Sequence, residues 1–129
     1  MAHEHWLLVI EDRTEVREGL VALFESKGYR TASAPGGRDA LVMLRDGVRP
    51  CVIVLDLAMP DMTGYAFRQA QRADPRLATI PVIGVSGADE AREAEARRFG
   101  VQGYFRKPMD VEAFVRAVDD CCESGPRRG

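Results

Sequence analysis

The sequence has no apolar run that approaches the ~20 residues of a membrane-spanning helix. It also has no basic stripe of the kind that marks a nucleic-acid-binding surface, since 18 Lys and Arg are set against 20 Asp and Glu for a net charge of -2. The N-terminal stretch MAHEH does not have the form of a signal peptide. We therefore expect a cytoplasmic protein with no membrane span and no direct contact with nucleic acid.

Cysteine is scarce, with three residues at positions 51, 121 and 122. An odd number does not make a closed disulfide framework, so we predict no such framework and a reducing setting. Cys121 and Cys122 are adjacent on the last predicted helix, where we expect one in the core and one at the surface. His3 and His5 could bind a metal ion, but two solvated side chains at the N-terminus are the favoured interpretation.

A length of 129 residues is enough for one domain with a substantial core, and the sequence contains no internal repeat. We predict a single domain over 1–129, with its core at about 6–122 and a short polar tail at 123–129. Within the core, apolar runs typical of buried strands alternate with stretches of helical period. The predicted strands are at 6–10, 29–33, 52–56, 80–85 and 103–106. The predicted helices are at 14–27, 40–48, 64–74, 89–99 and from 111 onwards.

This alternation predicts an α/β protein with a doubly wound, five-stranded parallel sheet, right-handed crossovers and helices on both faces. The pattern alone leaves the strand order open. For the last helix we predict an N-cap at Asp110 and a buried face. The residues of that face are Val111, Phe114, Val115 and Val118.

Four of the five predicted strands end in a side chain that can take part in chemistry. Glu11 and Asp12 follow the first strand, Asp56 ends the third, Ser86 ends the fourth and Lys107 follows the fifth. Because the carboxyl ends of parallel strands lie along one edge, where α/β sheets bind ligands, we expect these groups to meet there.

Three carboxylates in one crevice repel one another unless a cation lies between them. Oxygen ligands without nearby Cys or His suit a hard ion, Mg2+, which often also binds a substrate phosphate. A lysine ammonium and a serine hydroxyl can bind phosphoryl oxygens. These groups together indicate phosphoryl transfer, with Asp56 as a carboxylate nucleophile.

Four motifs carry a resemblance to a known family. They are LVIED at 8–12, VLDLAMPDMTG at 54–64, VSG at 85–87 and GYFRKP at 103–108. With these motifs the chain resembles the receiver domains of two-component response regulators from residue 6 to about 122. The resemblance implies a flavodoxin-like sheet of order 2-1-3-4-5 with five helices in three layers.

The resemblance also implies the roles of the acidic residues. Asp56 would accept a phosphoryl group from the phosphohistidine of a histidine kinase or a histidine phosphotransfer protein. Asp12 and Asp56 would bind Mg2+ directly, Glu11 would bind it through water, and the backbone carbonyl of Ala58 would be a further ligand. The domain would be a signalling switch and not an enzyme.

Three further residues take their expected roles from the same resemblance. Lys107 would bind a phosphoryl oxygen, Ser86 would bond another, and Tyr104 would turn inward behind Ser86. The output face would consist of the helix predicted at 89–99, the fifth strand and the last helix, and it would control an unknown downstream protein.

The sequence departs from the family pattern in small ways. Glu11 stands where Asp is commoner, and Ser86 stands where Thr is commoner. Ala58 and Ala88 are small at positions that influence the access of hydrolytic water, so the lifetime of the phosphoryl group is left open.

Other functions remain open alternatives. The Met1 start favours a stand-alone regulator over a receiver detached from a hybrid histidine kinase or a larger regulator. A Mg2+-dependent phosphatase with an aspartyl nucleophile is disfavoured by Ala58, since such enzymes usually carry an acid there. A flavodoxin-like electron carrier is disfavoured by the acids after the first strand, which would repel a flavin phosphate.

Overall fold

The computed structural model describes residues 5–57, 62–86, 100–106 and 110–124. Within these ranges the strands are β1 (Trp6–Ile10), β2 (Arg30–Ala34), β3 (Val52–Asp56), β4 (Val82–Ser86) and β5 (Gly103–Arg106). The helices are α1 (Thr14–Ser26), α2 (Gly37–Arg45), α3 (Gly64–Ala73) and α4 (Val111–Ser124). No helix in the described part of the chain combines the length and the apolar character that crossing a membrane requires.

The five strands form one parallel sheet of order β2-β1-β3-β4-β5. This confirms the α/β class predicted from the alternation and the flavodoxin-like order implied by the resemblance. Four of the five predicted helices are present, and the one predicted at 89–99 lies outside the described residues. β2 is half-polar because it occupies an edge of the sheet, whereas β3 is buried along its whole length.

Alternate residues of each strand contribute to cores on opposite faces of the sheet. On one face the strands pack against α2 and α3, through residues that include Leu8, Ile53, Leu55, Leu41 and Phe67. On the other face they pack against α1 and α4, through residues that include Val9, Val54, Phe24, Phe114 and Val118. The result is three layers, with the sheet in the middle.

The last helix agrees with its prediction in part. Asp110 acts as an N-cap, since its Oδ1 accepts a hydrogen bond from the Ala113 amide at 3.2 Å. Phe114 and Val118 are fully buried. The prediction that Val111 is buried is wrong, because it lies in the first turn, ahead of the turns that cover the sheet, and is 49% exposed. The helix also continues to Ser124, into the stretch predicted as a tail.

The cysteines form one disulfide, although the sequence predicted no disulfide framework and a reducing setting. Cys51, directly before β3, is bonded to Cys122, which lies two residues before the end of α4. Their Cα atoms are 4.9 Å apart. Because the two residues are 71 positions apart, local sequence patterns could not predict that they are close together. Cys121 is free and half-buried, whereas Cys122 is buried. This agrees with the prediction that one of the two lies in the core and the other nearer the surface.

The end of β3 and the start of α3 approach each other closely at Gly64. A Cβ at this position would lie 2.7 Å from the Leu57 Cα and 3.2 Å from the Asp56 carbonyl oxygen. The Gly64 amide also donates a hydrogen bond to the Leu57 carbonyl oxygen at 3.3 Å. Only glycine permits this approach, which holds the first turn of α3 against the strand that carries Asp56.

We expect Gly64→Ala to lower the free energy of unfolding by about 1–3 kcal/mol, because backbone atoms of β3 must shift to admit the methyl group. Urea denaturation measures this change. The matched control is Gly19→Ala in α1, where nothing lies within 4 Å of the added Cβ. That variant should be stabilised by about 0.5–1 kcal/mol through helix propensity. Equal stability of the two variants would contradict the close approach at Gly64.

Candidate functional site

Three carboxylates converge at the carboxyl edge of the sheet. Ile10 of β1 is in register with Leu55 of β3, so the residues that follow the two partners, Glu11 and Asp56, come from adjacent strand ends. One carboxylate oxygen from each of Glu11, Asp12 and Asp56 lies within 4.8 Å of the other two. The structure therefore brings together all three acids expected at this edge of the sheet, although they come from two distant parts of the chain.

The acids differ in their burial. Glu11 is 1% exposed and Asp56 is 6% exposed, whereas Asp12 is partly open to solvent. Several hydrogen bonds position Glu11. Its Oε2 accepts one from the Arg13 amide at 3.1 Å, its carbonyl oxygen accepts one from Arg17 Nη1 at 2.9 Å, and its amide donates one to the Ala34 carbonyl oxygen at 3.1 Å. Asp12 is therefore the member of the cluster that is most accessible to solvent.

Arg17 is a supporting residue that the sequence analysis missed. In the structure it is half-buried, and its guanidinium reaches back to the chain segment that carries the acids. The available signal was its position, one turn into the helix that follows Glu11 and Asp12.

The chemistry of the donor set fits a hard divalent cation. All three groups offer carboxylate oxygens, which Mg2+ and Ca2+ prefer. The three oxygens lie within 4.8 Å of one another, so they could hold one ion directly or through an intervening water. A cation would also offset the mutual repulsion of three carboxylates that are largely withdrawn from solvent.

Ser86 lies beside the cluster, at the end of the next strand. Asp56 is in register with Val85, so Ser86 is one residue beyond the level of Asp56, and it is 0% exposed. The Leu57 amide donates to the Val85 carbonyl oxygen at 3.0 Å, which continues the pairing of β3 and β4 past Asp56. This pairing gives Ser86 a defined position relative to the carboxylates.

Tyr104 shares a face of the sheet with Ser86. It is in register with Gly84, two residues before Ser86. Among the described residues, its buried hydroxyl has no hydrogen-bond partner. Leu57 packs over Gly84, where a Cβ would lie 3.1 Å from Leu57 Cδ1, and Tyr104 packs against the core cluster that contains Leu57. A packed path therefore leads from the residue after Asp56 to Tyr104.

Two residues expected at the site lie outside the described residues. They are Ala58, the expected carbonyl ligand, and Lys107, the expected phosphoryl-binding cation. The described part of β5 ends at Arg106, which is in register with Ser86.

The chain is similar to proteins of known class over most of its length. The model of the response regulator receiver domain matches residues 7–119. Chemotaxis protein CheY from Pseudomonas aeruginosa is 34% identical over 119 residues, which cover 91% of this chain and 95% of CheY.

Solved structures give the same picture. The receiver domain of a signal transduction histidine kinase from Syntrophus aciditrophicus has a TM-score of 0.87 and 28% identity, covering 97% of this chain and 95% of that one. A response regulator receiver protein from Pseudomonas putida has a TM-score of 0.85 and 28% identity, covering 93% and 99%. On the family match, the shared fold and the acidic cluster, this chain belongs to the response regulator receiver domain family.

Proposed function

We propose that this chain is a two-component phosphoacceptor, in which Asp56 receives a phosphoryl group from the phosphohistidine of a histidine kinase or a histidine phosphotransfer protein. The reaction depends on Mg2+ and takes place in the cytoplasm, within a single receiver domain with its core at about 6–122. The observation that carries the proposal is the convergence of Glu11, Asp12 and Asp56 oxygens within 4.8 Å of one another.

The proposed transfer follows from the carboxylate's position at a strand end. An Asp56 oxygen attacks phosphorus, a P–O bond forms, and the P–N bond to the donor histidine breaks as its nitrogen recovers its electron pair. When bound directly by Asp12, Asp56 and the Ala58 carbonyl, and through water by Glu11, Mg2+ would neutralise negative charge at the site. The Ser86 hydroxyl and the Lys107 ammonium bind oxygens of the transferred group.

Phosphorylation then acts as a switch. It replaces the single negative charge of the Asp56 carboxylate with a group that carries about -1.5 to -2, beside groups that are already acidic. Ser86 bonds a phosphoryl oxygen, and Tyr104 responds through the packed path past Leu57 and Gly84. The affected output face comprises the helix predicted at 89–99, β5 and α4, and it binds an unknown downstream protein. Phosphorylation thus shifts the population between two arrangements of this face.

The proposal assigns no turnover of external substrates to this chain. An aspartyl-nucleophile phosphatase needs an acid or base to protonate its leaving group, and the sequence has Ala58 at the position where that acid usually stands. The chain promotes only its own phosphorylation and dephosphorylation.

A second candidate is a receiver that operates as part of a histidine kinase. The likeness to the Syntrophus aciditrophicus kinase receiver, over 97% of this chain, favours it. The chemistry at Asp56 is the same in both cases. The candidates differ in whether the donor histidine belongs to the same polypeptide or to a separate protein.

Incubation with acetyl phosphate and Mg2+ should add the mass of one phosphoryl group to the intact protein. We expect Asp56→Asn to abolish the adduct, because an amide oxygen is a poor nucleophile. Asp46→Asn, an exposed acid at the end of α2, is the matched control and should keep the adduct. Persistence of the adduct in Asp56→Asn would show that Asp56 is not the phosphoacceptor.

Removal of divalent cations should change stability in a way that depends on the acidic cluster. In the absence of metal, Asp56→Asn should be more stable than the wild type by about 1 kcal/mol, since it relieves repulsion. At a Mg2+ concentration about 100 times the Kd, the wild type should gain about 2.7 kcal/mol. Asp12→Asn should lose most of this gain, and Asp46→Asn should retain it. Urea unfolding of the wild type and the three variants, with Mg2+ or with a chelator, measures these free energies of unfolding.

Hydrogen exchange tests the switch separately. We expect phosphorylation to change the exchange of amides in β4, β5 and α4, and we expect little change in β2, which is far from the proposed output face. Ser86→Ala should still form the adduct but show a smaller change in β5, because it removes the hydroxyl that bonds the phosphoryl oxygen. A full response in Ser86→Ala would refute the role of Ser86.

A further inference from the structure

A pair of cysteines lies at the opposite edge of the sheet from the three carboxylates. Cys51 immediately precedes β3, and Asp56 is the last residue of that strand. The two residues are five positions apart, which corresponds to about 17 Å along an extended strand. The bond between Cys51 and Cys122 therefore joins the amino end of β3 to α4.

We propose that Cys51 and Cys122 form a reversible redox site, oxidised by a peroxide and reduced by a dithiol, that controls how firmly the end of α4 is held to the sheet. A Cα separation of 4.9 Å lies within the range of about 4.4–6.8 Å that disulfides need. In a reducing cytoplasm a disulfide is typically transient, which makes this pair a sensor of oxidation and not a permanent cross-link.

The fold accommodates both oxidation states. Cys51 Sγ lies 3.0 Å from the Trp6 carbonyl oxygen, so in the reduced protein its thiol can donate a hydrogen bond there. The Cys51 amide donates to the same carbonyl at 2.9 Å, which positions the residue independently of the disulfide. Cys122 is 5% exposed and belongs to the core between the sheet and the α1 and α4 layer, where a thiol packs as a small apolar side chain.

The difference in exposure sets the order of the reaction. The half-buried Cys51 meets the peroxide first: its thiolate attacks one oxygen, the O–O bond breaks, and a sulfenic acid forms with release of water. The Cys122 thiol then attacks that sulfur, the S–S bond forms, and a second water leaves. Two thiols thus give two electrons to one peroxide. A dithiol reverses the change by thiol–disulfide exchange.

Cys121 does not compete for this role. It is adjacent to Cys122 in the helix, so its side chain points about 100° away from that of Cys122. Burial, with a smaller contribution from Asp120, raises the pKa of the Cys121 thiol, which lowers its thiolate fraction. It is therefore the matched control for the other two cysteines.

Reduction would loosen α4 without detaching it. The Tyr29 hydroxyl donates a hydrogen bond to Asp119 Oδ1, and Phe114 and Val118 remain in the core. The change is therefore confined to the end of α4, beside Cys122. Any effect on the downstream protein rests on the proposed function, because α4 belongs to the proposed output face. The redox site itself does not depend on that function.

The test uses the full chain and the single variants Cys51→Ser, Cys122→Ser and Cys121→Ser. After reduction, treatment with hydrogen peroxide should remove the mass of two hydrogen atoms from the wild type and from Cys121→Ser. Non-reducing peptide mapping should join the peptide of Cys51 to that of Cys122. Dithiothreitol should reverse the change in the folded protein. Oxidation should raise the midpoint of thermal unfolding by about 10 °C in these two proteins.

The two other variants should form no internal disulfide and show no such rise. A cross-link that survives in Cys122→Ser but not in Cys121→Ser would overturn the pairing. Resistance of the folded disulfide to dithiothreitol, or no disulfide with peroxide, would overturn its role as a reversible site. Asp56→Asn should form the disulfide normally, and Cys51→Ser should form the phosphoryl adduct normally, so a failure of either proposal is distinguishable from a failure of the other.

Discussion

Repulsion among three carboxylates is the interaction on which the functional part of this structure depends. Glu11 and Asp56 are almost entirely withdrawn from solvent, and Asp12 is only partly open, so water alone screens them poorly. The pairing of β1 with β3 brings these acids together at one edge of the sheet. The cluster could hold a cation, which would offset this repulsion.

The fold tolerates the repulsion among the carboxylates because β3 is paired with a strand on each side. Its register with β1 and β4 sets the height of Asp56, and the close approach at Gly64 fixes the path of the chain after it. The neighbouring strand then provides Ser86, and the residue after Asp56 contacts the layer in which Tyr104 packs. Charge added at Asp56 would thus act on a tightly packed environment, in which small displacements change the packing of neighbouring side chains.

The elements that the sequence predicted well are those with strong local signals. The uninterrupted apolar run at 52–55 and the capping residue Asp110 each specify their structure over a few positions, and β3 and α4 follow them closely. The prediction for Val111 was wrong because periodicity identifies the face of a helix but not where the sheet beneath it ends. Arg17 was missed because its contact is with a backbone carbonyl, which has no signature in the sequence.

By itself the sequence determined the α/β class, the ends of the strands and, through its motifs, the resemblance to receiver domains, because these depend on the order of residues along short segments. Tertiary structure alone decided the distances among the carboxylates, the environment of the Tyr104 hydroxyl and the pairing of Cys51 with Cys122. These features join segments that are tens of residues apart. They depend on how the strands are ordered and how α4 packs on the sheet, which are set by the burial of many side chains at once.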